Sequence, residues 1–350
     1  MAIDRVISAA PATPEEDQAN WALRPTSLDE YVGQSELMER LIIAIRAARQ
    51  RSEPLEHVLL HGPPGLGKTT LAHVIAKEMG GEIVLTSGPA LARGKDLVSA
   101  LTRLKRGDVL FIDEIHRLPI AVEEFIYPAM EDFRIDVTVD SGLSARTVQI
   151  KCQPFTLIGA TTRAGALSSP LRSRFGLTHH LRFYPVADLL KILSRSSSLL
   201  NVAVREPSAL EAIASRSRGT PRIANRLLRR VRDFAQVRSR SATVDHAVVR
   251  DALTLEGVDA LGLDQLDHSY LRTIATTYAG GPVGLTTIAA TLNEDPATLE
   301  DVVEPYLLQI GFLARTSRGR MLTRAACSHL GLPFTPRDQG PDGDALFTES

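Results

Sequence analysis

Five short apolar runs punctuate the first half of the chain: His57 to His61, Ile83 to Thr86, Val109 to Asp113, Phe155 to Thr161 and Leu177 to Phe183. Patterns of helical period lie between them. Near-continuous apolar strands alternating with helices predict a parallel sheet covered by helices. After Pro185 the pattern is helical throughout to about Glu256, and from about Gly257 to Leu330 three helical patterns precede a short hairpin, the order of a winged helix. The expected organisation is an α/β domain at 21–184, an all-helical domain at 185–256 and a winged-helix domain at 257–331. Residues 9–20, rich in Pro and acids, and the tail after about Leu332, rich in Pro, Gly and acids, carry little periodic apolar content, and the ends 1–20 and 332–350 are expected to be flexible arms.

Composition adds little to this frame, whereas charge distribution adds more. With 350 residues, 44% hydrophobic and 23% charged, the chain has ample core for two or three globular domains. A net charge of −1 neither predicts nor forbids a nucleic-acid partner. Locally, the helical stretch 185–256 carries a surplus of Lys and Arg, and the stretch 256–331 is acidic, with nine Asp or Glu against five Arg. Four of those arginines, Arg315, Arg318, Arg320 and Arg324, nevertheless cluster around the terminal hairpin. Two cysteines, Cys152 and Cys327, leave no disulfide framework and point to a reducing cytosol. No apolar leader follows Met1, and the uncharged stretch Thr273 to Asn293 is broken by Gly280-Gly281-Pro282, so a cytoplasmic protein without a membrane span is expected.

Chemistry enters where the first apolar run ends. His57 to His61 leads directly into Gly62-Pro63-Pro64-Gly65-Leu66-Gly67-Lys68-Thr69 and then a helical pattern, the strand, glycine loop and helix of a phosphate cradle. Gly62, Gly65 and Gly67 let backbone N–H groups face a polyphosphate; Lys68 would bridge β and γ phosphates, and the Thr69 hydroxyl would ligate Mg²⁺. The run Val109 to Asp113 ends in Asp113-Glu114, placing one carboxylate for the Mg²⁺ and the next for the attacking water. A third run ends in Thr161-Thr162, either of which could sense the γ phosphate. Ser169 to Phe175 then carries Arg174, a candidate for donation to a neighbouring subunit.

Taken together, these strings resemble the RuvB family of AAA+ ATPases, the motors of Holliday-junction branch migration. The resemblance rests on Leu23-Arg24-Pro25 with Tyr31-Val32-Gly33-Gln34, on GPPGLGKTTLA and on Asp113 to Leu118. Pro128 to Phe133, GATTRAG and Gly219 to Arg230 extend it, so that it spans about residues 21 to 330. It implies a P-loop AAA+ sheet domain, a helical lid and a winged-helix head, with ATP and Mg²⁺ as cofactors. It further implies that Leu23, Arg24 and Tyr184 enclose the adenine side, while Gly65, Lys68, Thr69 and Thr70 hold the phosphates. Thr161 or Thr162 would be the first sensor, Arg222 the second sensor and Arg174 an arginine finger. Glu131, Asp132 and Phe133 would lie at the nucleotide-bearing subunit interface, and Arg315 and Arg320 on DNA. The implied assembly is a hexameric ring on four-way junction DNA, with RuvA and, in the wider resolvasome, RuvC.

Two surfaces extend this reading. Alternation of Ile135, Val137 and Val139 with polar neighbours predicts a hairpin over 134–151 with one apolar face, and the resemblance assigns it to docking RuvA. In the last domain a helix from Asp295-Pro296 to Ile310 would expose Glu300, Asp301 and Glu304 and so repel phosphates, leaving the basic hairpin to contact DNA backbone without sequence readout. Relatives often carry a basic residue where Pro296 stands, so that further phosphate contact is not expected here. A clamp-loader ATPase or a nucleotide-gated DNA-binding regulator would share parts of these patterns; Glu114 and Arg174 speak against the regulator, which needs neither for binding alone.

Overall fold

The computed structural model describes Ile7 and residues 21–138, 147–239 and 242–334. The chain divides into two compact units, 1–262 and 263–350. The first is built on a five-stranded parallel sheet of order β2-β3-β6-β1-β7. Its strands are β1 (Val58–His61), β2 (Ile83–Ser87), β3 (Val109–Asp113), β6 (Thr156–Thr161) and β7 (Leu177–His180), with β4 (Arg134–Thr138) and β5 (Thr147–Lys151) forming a separate antiparallel pair. All five sheet strands fall on the apolar runs. β1, β3 and β6 are buried almost throughout, as expected of strands covered on both faces. Helices α1 (Ser35–Arg51), α2 (Lys68–Met79), α3 (Gly94–Leu101), α4 (Ile120–Asp132) and the short α5 (Ser169–Ser173) accompany the strands. β1 lies between β6 and β7, with His61 beside both Thr161 and His180, so the loops leaving β1, β3 and β6 open on the same edge. Ligands of open parallel sheets bind at that carboxyl edge.

Four helices complete the first unit: α6 (Val186–Leu199), α7 (Pro207–Ser215), α8 (Pro221–Arg238) and α9 (His246–Leu255). Ile223, Leu227 and Val231 of α8 are buried along one stripe. Arg226 is buried as well, because α8 packs against α6, α7 and α9 and buries more than one stripe. The expected N-terminal arm needs correction at Ile7, which is buried in the core of this unit because its apolar side chain has a hydrophobic cluster to join; the rest of 1–20 lies outside the described residues, as does the expected arm beyond Phe334.

The second unit carries α10 (Gln265–Arg272), α11 (Leu285–Leu292), α12 (296–309), the hairpin β8 (Leu313–Thr316) and β9 (Gly319–Leu322), and α13 (Arg324–Leu330). Tyr270, Ile274, Ile288, Val303 and Leu307 form its own core. A π turn at Leu299–Val303 interrupts α12, just ahead of Glu304-Pro305. Glu304 corrects the expectation of an acidic outer surface. Its side chain is fully buried, because two wing arginines and a tyrosine hydroxyl turn inward to meet it. Among the described residues no helix is long and apolar enough to cross a membrane.

Candidate nucleotide site and its neighbours

A cavity of about 320 Å³ opens where the carboxyl edge of the sheet meets the four-helix segment. Gly65, Gly67, Lys68, Thr69 and Thr70 line its floor, Asp113, Glu114 and Thr162 one wall, and Leu23, Arg24 and Tyr184 another. Arg222 enters from the second position of α8. Pro221 starts that helix; Thr220 sits at the cap position, yet its hydroxyl donates to the Arg218 carbonyl instead of capping.

The cradle depends on backbone shape. Gly62 holds φ at +140°, and a Cβ there would sit 2.4 Å from the Leu181 carbonyl oxygen, so its role is to fix how the loop leaves β1; it does not line the cavity. Gly33, at φ +83°, lets Tyr184 lie flat against the segment that carries Tyr31, since a Cβ would fall 2.5 Å from the tyrosine ring. Tyr184 Oη in turn reaches the Leu66 carbonyl at 3.3 Å and Tyr31 Oη at 3.2 Å, tying the adenine-side wall to the phosphate loop.

Lys68 is nearly buried, its Nζ donating to the carbonyls of Gly62 at 2.8 Å and Pro63 at 2.9 Å. Burial pushes its pKa down to about 8; Asp113 and Glu114 pull upward, and Arg222 pushes further down. The last effect places the positive charges of Lys68 and Arg222 within electrostatic reach of each other. Two cations converging at the start of a helix suit a polyanion. Opposite them, Glu114 takes φ +46°, a left-handed conformation rare outside glycine and frequent at functional sites. Its Oε2 is held by Arg117 at 2.9 Å, an exposed pair that gives up little when it separates.

The two threonines at the end of β6 part company. Thr161 is buried, its Oγ1 2.9 Å from His116 Nδ1 and accepting from the Arg163 N–H at 3.0 Å. Thr162, the first residue past β6, lines the cavity, and Thr161, the last of the strand, does not. Of the two threonines that the sequence offers for the first sensor, Thr162 is the one that faces the cavity.

Arg174, Glu131, Asp132 and Phe133 also lie outside this cavity. Arg174 follows α5 and is held on its own surface: Nε lies 2.9 Å from Glu131 Oε1, Nη1 donates to the Pro170 carbonyl at 2.7 Å, and the guanidinium stacks 4.2 Å from the Tyr127 ring centroid. The Nε contact is close but poorly aligned for a hydrogen bond, and Glu131 is mostly exposed, so the pair is weak. Sequence patterns missed Tyr31, Ile192, Asn225 and Arg195, which also line the cavity. Arg195 donates from α6 to the carbonyls of Leu23 and Arg24 at 3.4 and 3.1 Å and pairs with Glu30 at 3.0 Å. No local signal set it apart, since the same helix also carries Lys191.

Comparison with known proteins agrees with this geometry. Family models for the Holliday junction DNA helicase RuvB P-loop domain, the RuvB AAA lid domain and the RuvB C-terminal winged helix domain match residues 23–181, 184–259 and 260–331. The chain belongs to the RuvB family. As a RuvB protein it is an AAA+ P-loop ATPase. It is 56% identical over 335 residues to the Holliday junction branch migration complex subunit RuvB of Desulfosudis oleivorans, covering 93% of this chain and 97% of that one. Among solved structures it resembles the Thermotoga maritima RuvB Holliday junction branch migration motor at 52% identity and a TM-score of 0.82, over 90% of this chain and 100% of that one. A point variant of the same protein matches at a TM-score of 0.83 and 52% identity, over 90% and 99% of the two chains.

Proposed function

We propose that this chain is the ATP-driven motor of Holliday-junction branch migration, translocating duplex DNA as a ring in partnership with RuvA. The observation that carries this reading is the split machinery: one cavity gathers Lys68, Thr69, Asp113, Glu114, Thr162 and Arg222, while Arg174 sits outside it on the surface of the same subunit. A site whose arginine must come from a neighbour gives a physical reason for a ring, for which we propose a hexamer acting in the cytoplasm, with RuvC in the wider assembly.

The cavity fits ATP and Mg²⁺ in its donor set, cations at the helix start facing two carboxylates and two hydroxyls across the floor. Thr69 and Asp113 would hold Mg²⁺, which would neutralise charge on the phosphates. Lys68 exchanges its two loop carbonyls for phosphate oxygens, which favour its charged form. Glu114 leaves Arg117, orients water against the γ phosphate and accepts its proton; the P–O bond to ADP breaks and phosphate departs. Thr162 reads the γ phosphate. Arg222 and Arg195 join the nucleotide and the adenine-side wall to the lid helices, so the loss of phosphate changes what holds the lid. The exposed Val148 of the β4–β5 hairpin supports RuvA docking, and Arg315 and Arg320 support contact with DNA backbone.

The test is ATP-dependent dissociation of a synthetic four-way junction with and without RuvA. The intact protein is expected to migrate the junction, and Lys68→Ala and Arg174→Ala to abolish migration separately. Mixing the two variants should restore part of the ATP turnover, since some interfaces then pair an intact Lys68 with a neighbour's intact Arg174. Hydrolysis without migration would leave a loader or another DNA remodeller, and mixtures with no recovery would reject the shared site.

A further inference from the structure

Among the described residues three acids of the second unit are buried: Asp264 and Asp267 cap the start of α10, whereas the ATPase site and the DNA-contact reading leave Glu304 unused. Glu304 is fully buried beneath the β8–β9 hairpin. One carboxylate oxygen, Oε1, accepts from Tyr270 Oη at 2.7 Å and Arg320 Nε at 2.9 Å; the other, Oε2, accepts from Arg315 Nε at 2.8 Å and from a second nitrogen of each guanidinium. Arg315 and Arg320 are cross-strand partners in the hairpin register. Glu300 approaches the same guanidiniums only at 4.0 and 3.9 Å and is part exposed. Burial and the neighbouring carboxylate push the Tyr270 phenol far above its usual range, which keeps it a donor.

Burying a carboxylate is costly unless every lone pair finds a donor. Here the donors are the two arginines expected on DNA, which is an unusual use of residues meant for phosphate. An arginine carries five N–H donors in a rigid fork, so one edge can hold a carboxylate while the other faces outward. Arg315 keeps 43% of its side chain exposed while so held. With Arg320 spanning both oxygens of Glu304 and Arg315 held on Oε2, the spacing of the two guanidiniums is set by a single carboxylate, and neither long side chain must be ordered when DNA arrives.

We propose that Glu304 is a positioning residue for DNA engagement, presenting Arg315 and Arg320 as a preformed pair to the phosphate backbone. This rests on the proposed wing contact, and it predicts the opposite sign from charge counting. Removing a negative charge beside two DNA-facing arginines should tighten binding by electrostatics alone; on the positioning account it loosens.

The measurement is equilibrium binding of the full chain to a fluorescent duplex of arbitrary sequence across a salt series. Glu304→Gln is expected to weaken binding about tenfold, the scale of ordering two long side chains only on binding, and to flatten the salt slope by up to about two units if both phosphate contacts are lost. Unchanged or tighter binding overturns the proposal. Should Glu304→Gln fail to fold, the Arg315→Lys/Arg320→Lys variant keeps both charges without the fork; it should weaken binding similarly, and parental affinity would overturn the proposal. In an Arg315→Ala/Arg320→Ala background, Glu304→Gln should cost nothing further, whereas an equal further loss would mean that Glu304 acts through stability of the fold. If Arg315→Ala/Arg320→Ala itself binds duplex like the parent, the wing contact fails first and the positioning role with it.

Discussion

Burial sets the chemistry of single side chains before any ligand does. His57 is the clearest case outside the cavity: its Nδ1 accepts from the Leu157 N–H at 2.9 Å and its Nε2 lies 3.0 Å from the Met130 carbonyl, so only the neutral ring satisfies both. Burial accordingly lowers its pKa below that of a free imidazole. A group whose pKa falls on folding adds stability above its unfolded pKa, about 6.5 for histidine, and loses that contribution as pH drops through the lower folded value. Thermal unfolding followed from pH 7.5 to 5.5 should show falling stability, and His57→Gln, which keeps a donor and an acceptor, should flatten the profile. An equally steep profile in the variant would assign the pH dependence elsewhere. At this scale the sequence was legible where chemistry is written in residue type, as at Lys68 and Asp113-Glu114, and mute where orientation decides. Thr161 and Thr162 are chemically identical neighbours, and only their places in the fold, one ending β6 and the other just past it, send one to His116 and the other to the cavity.

Among the elements, the parallel strands were readable because burial on both faces leaves continuous apolar runs, and the β4–β5 hairpin because its period is two. Its register pairs Ile135 with Ile150 and Val137 with Val148 on one face. That face is not uniform: Ile135 is fully buried at the base, whereas Val148 is 47% exposed toward the tip. Val139 and the expected turn at 141–144 lie outside the described residues. Packing explains the base, and the exposed valine fits a partner. Val148→Asp should therefore abolish co-migration with RuvA in size-exclusion chromatography while leaving ATP turnover of the isolated protein within about twofold, since surface changes away from such features shift stability little; retained binding would remove the hairpin from the docking surface. In α12 the sequence read a plain helix from Pro296 onward, but Pro305 lacks an N–H and cannot continue the i to i−4 ladder. The π turn just before it absorbs the mismatch and so decides which way Glu304 points.

Across the whole first unit, the site exists only because distant segments converge. Arg195 of α6 clamps the carbonyls of Leu23 and Arg24, some 170 positions earlier in the chain. Hydrogen bonds to a charged group contribute about 1.5–3 kcal/mol, so Arg195→Ala should raise the KM for ATP roughly tenfold or more with a smaller change in kcat; a kcat defect at unchanged KM would place Arg195 in the chemical step instead. By itself the sequence determined the ordered α/β, helical and winged-helix pattern, the phosphate loop, the carboxylate pair and the candidate arginines, because periodicity and residue type are local properties written along the chain. Tertiary structure alone decided that Thr162 faces the cavity, that Arg195 joins the lid to the adenine-side wall, that Glu131 and Tyr127 hold Arg174, and that Glu304 turns inward to Arg315 and Arg320. Those are relations between side chains from separate elements, and their geometry comes into being only when packing brings the elements together.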